Sequence, residues 1–212
     1  METMAGQTIA PRPTASSAES DSVAAVADTA RRIAASIGGV LAGRDESTRT
    51  AIACLLSGGH LLIEDIPGVG KTLLAQALAA SVGGSFHRIQ GTPDLLPGDV
   101  TGTMMPQGDG FELRFRPGPI FSNIVVFDEL NRANPRTQSA LLEATEESAV
   151  TVDGSTRDLP SPFRLVATQN PVEMIGTYPL SEGALDRFAA VVSPGRARAD
   201  DEVEVLTVRR GR

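Results

Sequence analysis

Apolar residues recur along this chain in two rhythms that trade places. Val23, Val26, Ala30, Ile33 and Ile37 fall at three- and four-residue spacing, one face of a helix over 23–37 that Gly38-Gly39 stops. Arg49–Leu56 predicts a second helix, halted at Gly58-Gly59. Beyond it, short apolar runs alternate with helical patterns. Leu61–Glu64, Phe86–Gln90, Ile124–Asp128, Phe163–Thr168 and Ala189–Val192 read as strands, and Thr72–Val82 and Pro135–Glu147 as helices between them. Short apolar strands separated by helices imply an α/β fold, a parallel sheet covered on both faces.

Two segments break this alternation. Phe111, Leu113 and Phe115 alternate with Glu112, Arg114 and Arg116 directly after Asp109-Gly110, and Val150 and Val152 lead into Asp153-Gly154. Period two beside an Asp-Gly turn predicts a β-hairpin in 110–116 and another in 149–159. Residues 1–22 are rich in Ser, Thr, Ala and Pro without periodicity and read as a disordered arm.

Composition narrows the picture. The 212 residues suffice for one sizeable core, with 41% apolar and 21% charged residues as in ordinary soluble proteins. No apolar run approaches the ~20 residues that span a bilayer, and the N-terminal stretch lacks the apolar centre of a secretory signal, so a cytoplasmic location without membrane insertion is expected. The single cysteine, Cys54, lies in an apolar stretch and reads as a small core residue in a reducing compartment. A net charge of −7 opposes general nucleic-acid binding. Among 19 basic side chains only Lys71 is a lysine, and it falls where a compact ammonium serves better than a planar guanidinium.

The chemistry starts at that lysine. In Leu61 to Thr72 a strand feeds the turn Pro67-Gly68-Val69-Gly70 and the turn opens a helix at Lys71-Thr72-Leu73. Glycines let the backbone curl so that successive N–H groups face phosphate oxygens, and the helix N-terminus adds its positive dipole end. Pro67 to Leu73 are therefore the expected nucleotide contacts, with Lys71 reaching the β- and γ-phosphates and Thr72 ligating Mg²⁺. The pattern's first glycine is replaced by Asp65, a carboxylate that would repel phosphate unless it points away. Further on, Ile124 to Glu129 is an apolar strand ending in two acids at the edge where ligands of α/β sheets collect. Asp128 suits a metal-positioning role, and Glu129 is placed to orient and deprotonate an attacking water.

Seven motifs in order resemble the MoxR family of AAA+ ATPases. They are Glu64–Thr72, Gln90–Pro97, Phe115–Ile120, Asp128–Pro135, Thr137–Glu143, Ala167–Pro171 and Gly176–Leu180 through Asp186-Arg187-Phe188. The resemblance implies a three-layer αβα P-loop NTPase core over 23–200, with a five-stranded parallel sheet and two hairpin inserts that face the pore or the substrate. It implies Mg²⁺-dependent ATP hydrolysis coupled to chaperone-like remodelling of a partner, within a ring that is hexameric in the family. It gives Asn170 the role of a sensor at the γ-phosphate and Arg187 that of a finger reaching ATP on a neighbouring subunit. The plainer alternatives are strand-end capping for Asn170 and a salt bridge to Asp186 for Arg187. Gln90 is a candidate gate on Glu129, His60 and His87 read as structural groups, and Glu143, Glu146 and Glu147 as a solvated helix face.

The family continues into a helical lid bearing a second sensor arginine. Residues 201–212 read as the start of that lid, cut short at Arg212, with a ring forming if a lid is supplied and weak turnover without one. A partner with a von Willebrand A-type domain is a further expectation from the resemblance. The alternative function is a truncated nucleotide-binding module with little turnover.

Overall fold

The computed structural model describes residues 17–38, 44–108, 112–171 and 176–195. In chain order its elements are α1 (Ser17–Gly38), α2 (Asp45–Leu56), β1 (Leu61–Glu64), α3 (Lys71–Val82), β2 (Phe86–Gln90), α4 (Pro97–Thr101), β3 (Gly102–Pro106) and β4 (Leu113–Pro117). They continue with β5 (Ile124–Asp128), a single 3-10 turn (Leu130–Arg132), α5 (Pro135–Glu147), β6 (Ala149–Val152), β7 (Ser155–Asp158), β8 (Arg164–Gln169), α6 (Glu182–Leu185) and β9 (Ala190–Val192).

The expected five strands form one parallel sheet in the order β2-β5-β8-β1-β9. Consecutive residues of a strand bury in opposite directions. Leu61 and Ile63 join Val126 and Val166 against Ile33, Ile37, Ile52, Leu74 and Leu78 of α1, α2 and α3. Leu62 joins Val125, Phe127 and Leu165 against Leu141 and Leu142 of α5 and Val100 of α4. Both faces are dry, which explains the near-continuous apolar strands of the sequence. The edge strands are the exceptions, with only Ile89 of the five residues of β2 and only Val192 of the three of β9 buried.

Both hairpins are present. β3 and β4 pair antiparallel from Gly102↔Pro117 to Pro106↔Leu113, although the Asp109-Gly110 turn itself lies outside the described residues. β6 and β7 close over Asp153 (φ 49°) and Gly154 (φ 71°), both left-handed as a tight two-residue hairpin turn requires. The two hairpins meet, the Arg157 guanidinium lying 4.0 Å above the centre of the Phe115 ring.

The boundaries differ in places. α1 begins at Ser17 rather than Val23, because the segment Ser17-Ala18-Glu19-Ser20-Asp21-Ser22 holds no large apolar residue for the periodicity to register. α2 begins at Asp45, where Asp45 and Glu46 complement the helix dipole with no apolar signal. The short α4, α6 and 3-10 turn were not expected. The lid helix expected at 202–208 lies outside the described residues. Among the described residues no helix is long and apolar enough to cross a membrane.

Candidate functional site

The register of the sheet brings four polar residues to the C-terminal ends of adjacent strands. Gln90 pairs with Asp128 across β2 and β5, and Glu64 pairs with Gln169 across β1 and β8. The loop from β1 into α3 crosses this edge. It turns on Gly68 (φ 86°) and Gly70 (φ 87°), backbone conformations that favour glycine, and Gly70 caps α3.

Lys71 is almost fully buried at the start of α3. Its Nζ donates to the carbonyls of Asp65 and Ile66, the latter at 2.9 Å, and to Asn170 Oδ1 at 2.5 Å. All three ammonium hydrogens thus meet oxygens, the minimum that a buried lysine needs. Burial pushes its pKa below the ordinary lysine value, opposed by the carboxylates of Asp65, Glu129 and Glu64. The carbonyl of Asn170 in turn accepts from Asn131 Nδ2 at 3.0 Å, which fixes the end of β8 against the 3-10 turn.

Asp128 lies beside this group, its side chain only 2% exposed. Oδ1 accepts from the Thr72 hydroxyl at 3.0 Å and the Thr168 hydroxyl at 3.2 Å, while Oδ2 accepts from Arg88 Nε at 2.5 Å. Arg88 also donates to Gln90 Oε1 at 3.1 Å. Gln90 donates to Glu129 Oε2 at 3.0 Å, and Arg132 donates to that same oxygen at 2.9 Å. Gln90, the candidate gate on Glu129, is thus hydrogen-bonded to that carboxylate. Glu129 itself sits in the left-handed region at φ 56°, a conformation costing a non-glycine residue roughly 1–2 kcal/mol. Its amide is held by Thr168 Oγ1 at 3.0 Å.

Sequence reasoning overlooked Arg88 and Gly91. Arg88 lies two residues before Gln90, on the same face of β2, and that period was the available signal. At Gly91 an added Cβ would stand 2.2 Å from the Glu129 carbonyl oxygen. This need is steric and leaves no mark in the pattern.

Arg187 stands apart from the cluster. It does not pair with Asp186; its Nε and terminal nitrogen donate to Glu146 Oε2 at 3.2 and 2.8 Å. Glu143, Glu146 and Glu147 are exposed, as a solvated face of α5 requires, and Glu146 carries the Arg187 ion pair from that exposed position. His60 is engaged elsewhere: Nδ1 accepts from the Leu165 amide at 2.9 Å and Nε2 meets the Thr145 carbonyl at 3.1 Å. His87 bonds Ser122. Burial pushes the Cys54 thiol upward, against the form a nucleophile needs.

A parallel sheet in this strand order, with a glycine-turned loop entering a helix at Lys-Thr opposite an Asp-Glu strand end, defines an α/β P-loop NTPase. Residues 60–190 match the ATPase family associated with various cellular activities (AAA). The chain belongs to that family and to its MoxR branch. It is 53% identical over 169 residues to YeaC of Bacillus subtilis, covering 80% of this chain and 53% of that protein. It is 38% identical over 205 residues to Chaperone MoxR1 of Mycobacterium tuberculosis, covering 97% of this chain and 54% of that protein. A crystal structure of a candidate ATPase from Cytophaga hutchinsonii superposes with a TM-score of 0.76 at 39% identity, over 90% of this chain and 58% of that one. The chain thus spans about half the length of the relatives it matches.

Proposed function

We propose that this chain binds ATP with Mg²⁺ and hydrolyses its terminal phosphoanhydride bond, and that the turnover drives chaperone-like remodelling of a partner protein. The observation that carries the reading is the convergence of Lys71, Thr72, Asp128, Glu129 and Asn170 on one sheet edge beside a glycine-turned loop. The amides of the loop and the α3 N-terminus, from Pro67 to Leu73, would receive the phosphates. Lys71 would exchange its bonds to Asp65 and Ile66 for phosphate oxygens.

The residues fit a magnesium ion. Thr72 Oγ1 and Asp128 Oδ1 are hard oxygen donors already 3.0 Å apart. Among the described residues no cluster of three or more His, Cys, Asp or Glu forms a metal cage, so the phosphates would complete the coordination. The ion would neutralise charge on the transferred phosphoryl group. Glu129 would orient the attacking water and take its proton, its carboxylate aimed by Gln90 and Arg132. Asn170, tied to Lys71, would report the terminal phosphate. Arg187 is half-exposed at the α6 end and would act on ATP of a neighbouring copy in a ring. The name of the chaperone relative supports the remodelling reading, and the family resemblance makes a von Willebrand A-domain protein the class of partner to seek.

Calorimetric titration of ATP with and without Mg²⁺, alongside phosphate release, tests this. Binding that strengthens with Mg²⁺ and is lost in Lys71→Ala is expected. Equal ATP affinity in the wild type and Lys71→Ala would remove the phosphate-loop assignment.

A further inference from the structure

Asp65 stands where the phosphate-loop pattern has its first glycine, and the mechanism above leaves its carboxylate without a task. The structure points that carboxylate away from the loop's interior. Oδ1 accepts from the Ile66 amide at 2.7 Å. Oδ2 accepts from the Ser193 hydroxyl at 2.8 Å and from the Gly195 amide at 2.6 Å. Ser193 to Gly195 are the residues by which the chain leaves β9, the edge strand beside β1. One side chain therefore joins the start of the phosphate loop to the exit of the last strand. These bonds to an ionised acceptor are the stronger kind. Burial alone would raise the carboxyl pKa, but its three donors, aided by the Lys71 charge, hold it below the ordinary aspartate value.

The backbone of the same residue faces the ligand side, since its carbonyl accepts from Lys71 Nζ. Ser193 and Pro194 also line a polar hollow with Arg44, Ser47 and Thr50 from the start of α2. Asp65 thus touches both the group that would meet phosphate and, through Ser193, the wall of that hollow.

We infer that Asp65 is a positioning residue that clamps the exit of β9 to the phosphate loop, so that nucleotide on the loop is felt at Ser193–Gly195. The inference rests on the nucleotide binding proposed above. Phosphate that draws Lys71 Nζ off the Asp65 and Ile66 carbonyls changes the backbone at residue 65. The carboxylate, held by three donors, transmits that change to the residues beyond β9. A glycine at this position would bind phosphate equally well and transmit nothing.

Amide hydrogen exchange on the full chain, with ADP and Mg²⁺ as the probe, separates this role from a merely structural one. In the wild type, ADP should slow exchange both in the loop and, by about 3-fold or more, at Gly195. In Asp65→Ala the loop should still be protected while the Gly195 amide exchanges fast with or without ADP. Ser193→Ala, which leaves loop and carboxylate in place, should lose part of the response, and serves if Asp65→Ala fails to fold. Asp65→Asn, retaining an acceptor oxygen, should restore more of it than alanine. A nucleotide response at Gly195 that is the same in Asp65→Ala, or in Ser193→Ala if that is the folded variant, as in the wild type overturns the clamp and leaves the binding reading standing. No protection of the loop in the wild type overturns both.

Discussion

The Nε of Arg88 lies 2.5 Å from Oδ2 of Asp128, joining a guanidinium that is 45% exposed to a carboxylate that is 2% exposed. The partners differ in what they lose when parted, since Arg88 can turn to water and Asp128 cannot. Arg88→Gln would leave the carboxylate with only the Thr72 and Thr168 hydroxyls. Breaking a fully buried pair costs about 3–5 kcal/mol, and the half-wet guanidinium reduces this to about 1–2 kcal/mol. ADP with Mg²⁺ should recover most of that loss, because the ion would supply the missing charge. Thermal melts with and without Mg²⁺ and ADP check this; an equal deficit in both would mean that Arg88 and the metal do not share Asp128.

Glu129→Gln keeps the side chain's shape and an acceptor for Gln90 and Arg132, and removes the proton acceptor together with the charge that pairs with Arg132. ATP affinity should stay within a few-fold while phosphate release falls by roughly 10²–10⁴. Lys71→Ala should fail earlier, at binding. Parallel loss of binding in both variants would end the separate assignments.

The fold was legible because both faces of the sheet are dry and each strand is short, so the apolar runs stand out between helices. The phosphate loop and the Asp128-Glu129 strand end were legible because their chemistry requires contiguous residues. What escaped depends on contacts between distant segments. Arg88 reaches Asp128 across strands, Arg187 reaches Glu146 across helices, and Gly91 is required by the Glu129 carbonyl just past the end of β5. Asp65 was visible as an anomaly, but its partners at Ser193 and Gly195 could not be read from spacing.

Burial is the main reason the pKa of His60 lies below the ordinary histidine value, with the nearby Arg164 charge acting the same way and the Thr145 bond opposing. The folded chain therefore binds a proton on His60 less readily than the unfolded chain does. Its contribution to stability is fully present above about pH 6.5 and is lost as pH falls from there toward the folded-state value. His60→Phe should flatten this part of the profile. It should also lower stability at pH 8 by about 1–3 kcal/mol, because the Leu165 amide loses its acceptor. Denaturant titrations between pH 5 and pH 8 check both; an unchanged slope would place the titration elsewhere.

Arg187 pairs with a largely exposed Glu146, so Arg187→Ala should change stability by less than about 1 kcal/mol. If Arg187 completes the site of a neighbouring copy, the same variant should lose turnover by at least 10-fold while binding ATP normally. Mixing it with Lys71→Ala, which keeps Arg187 but cannot bind, should restore phosphate release. No recovery at any mixing ratio would assign Arg187 to structure alone.

Gly91 offers the sharpest test of how tightly Glu129 must be held. A Cβ there would lie 2.2 Å from the Glu129 carbonyl oxygen, 3.0 Å from its carbon and 3.1 Å from the Asp128 carbonyl oxygen. All three are backbone atoms, so no side chain can swing aside. The Gly91 amide also donates to the Asp128 carbonyl at 2.7 Å, which holds the two chains together where the methyl would part them. Relief has to come from moving the Asp128-Glu129 peptide, and a shift on the order of 1 Å in a catalytic group costs about 10²-fold in rate. Lys71 and Thr72 lie on α3, off this contact, so ATP affinity should fall far less than turnover. Overpacking would remove about 1–3 kcal/mol of stability. Gly98→Ala is the control, since the nearest atom to its added Cβ is 4.0 Å away and a side chain. Phosphate release, ATP titration and a melt on the two variants decide the matter. Wild-type turnover in Gly91→Ala would show that the Glu129 backbone need not stay where it is.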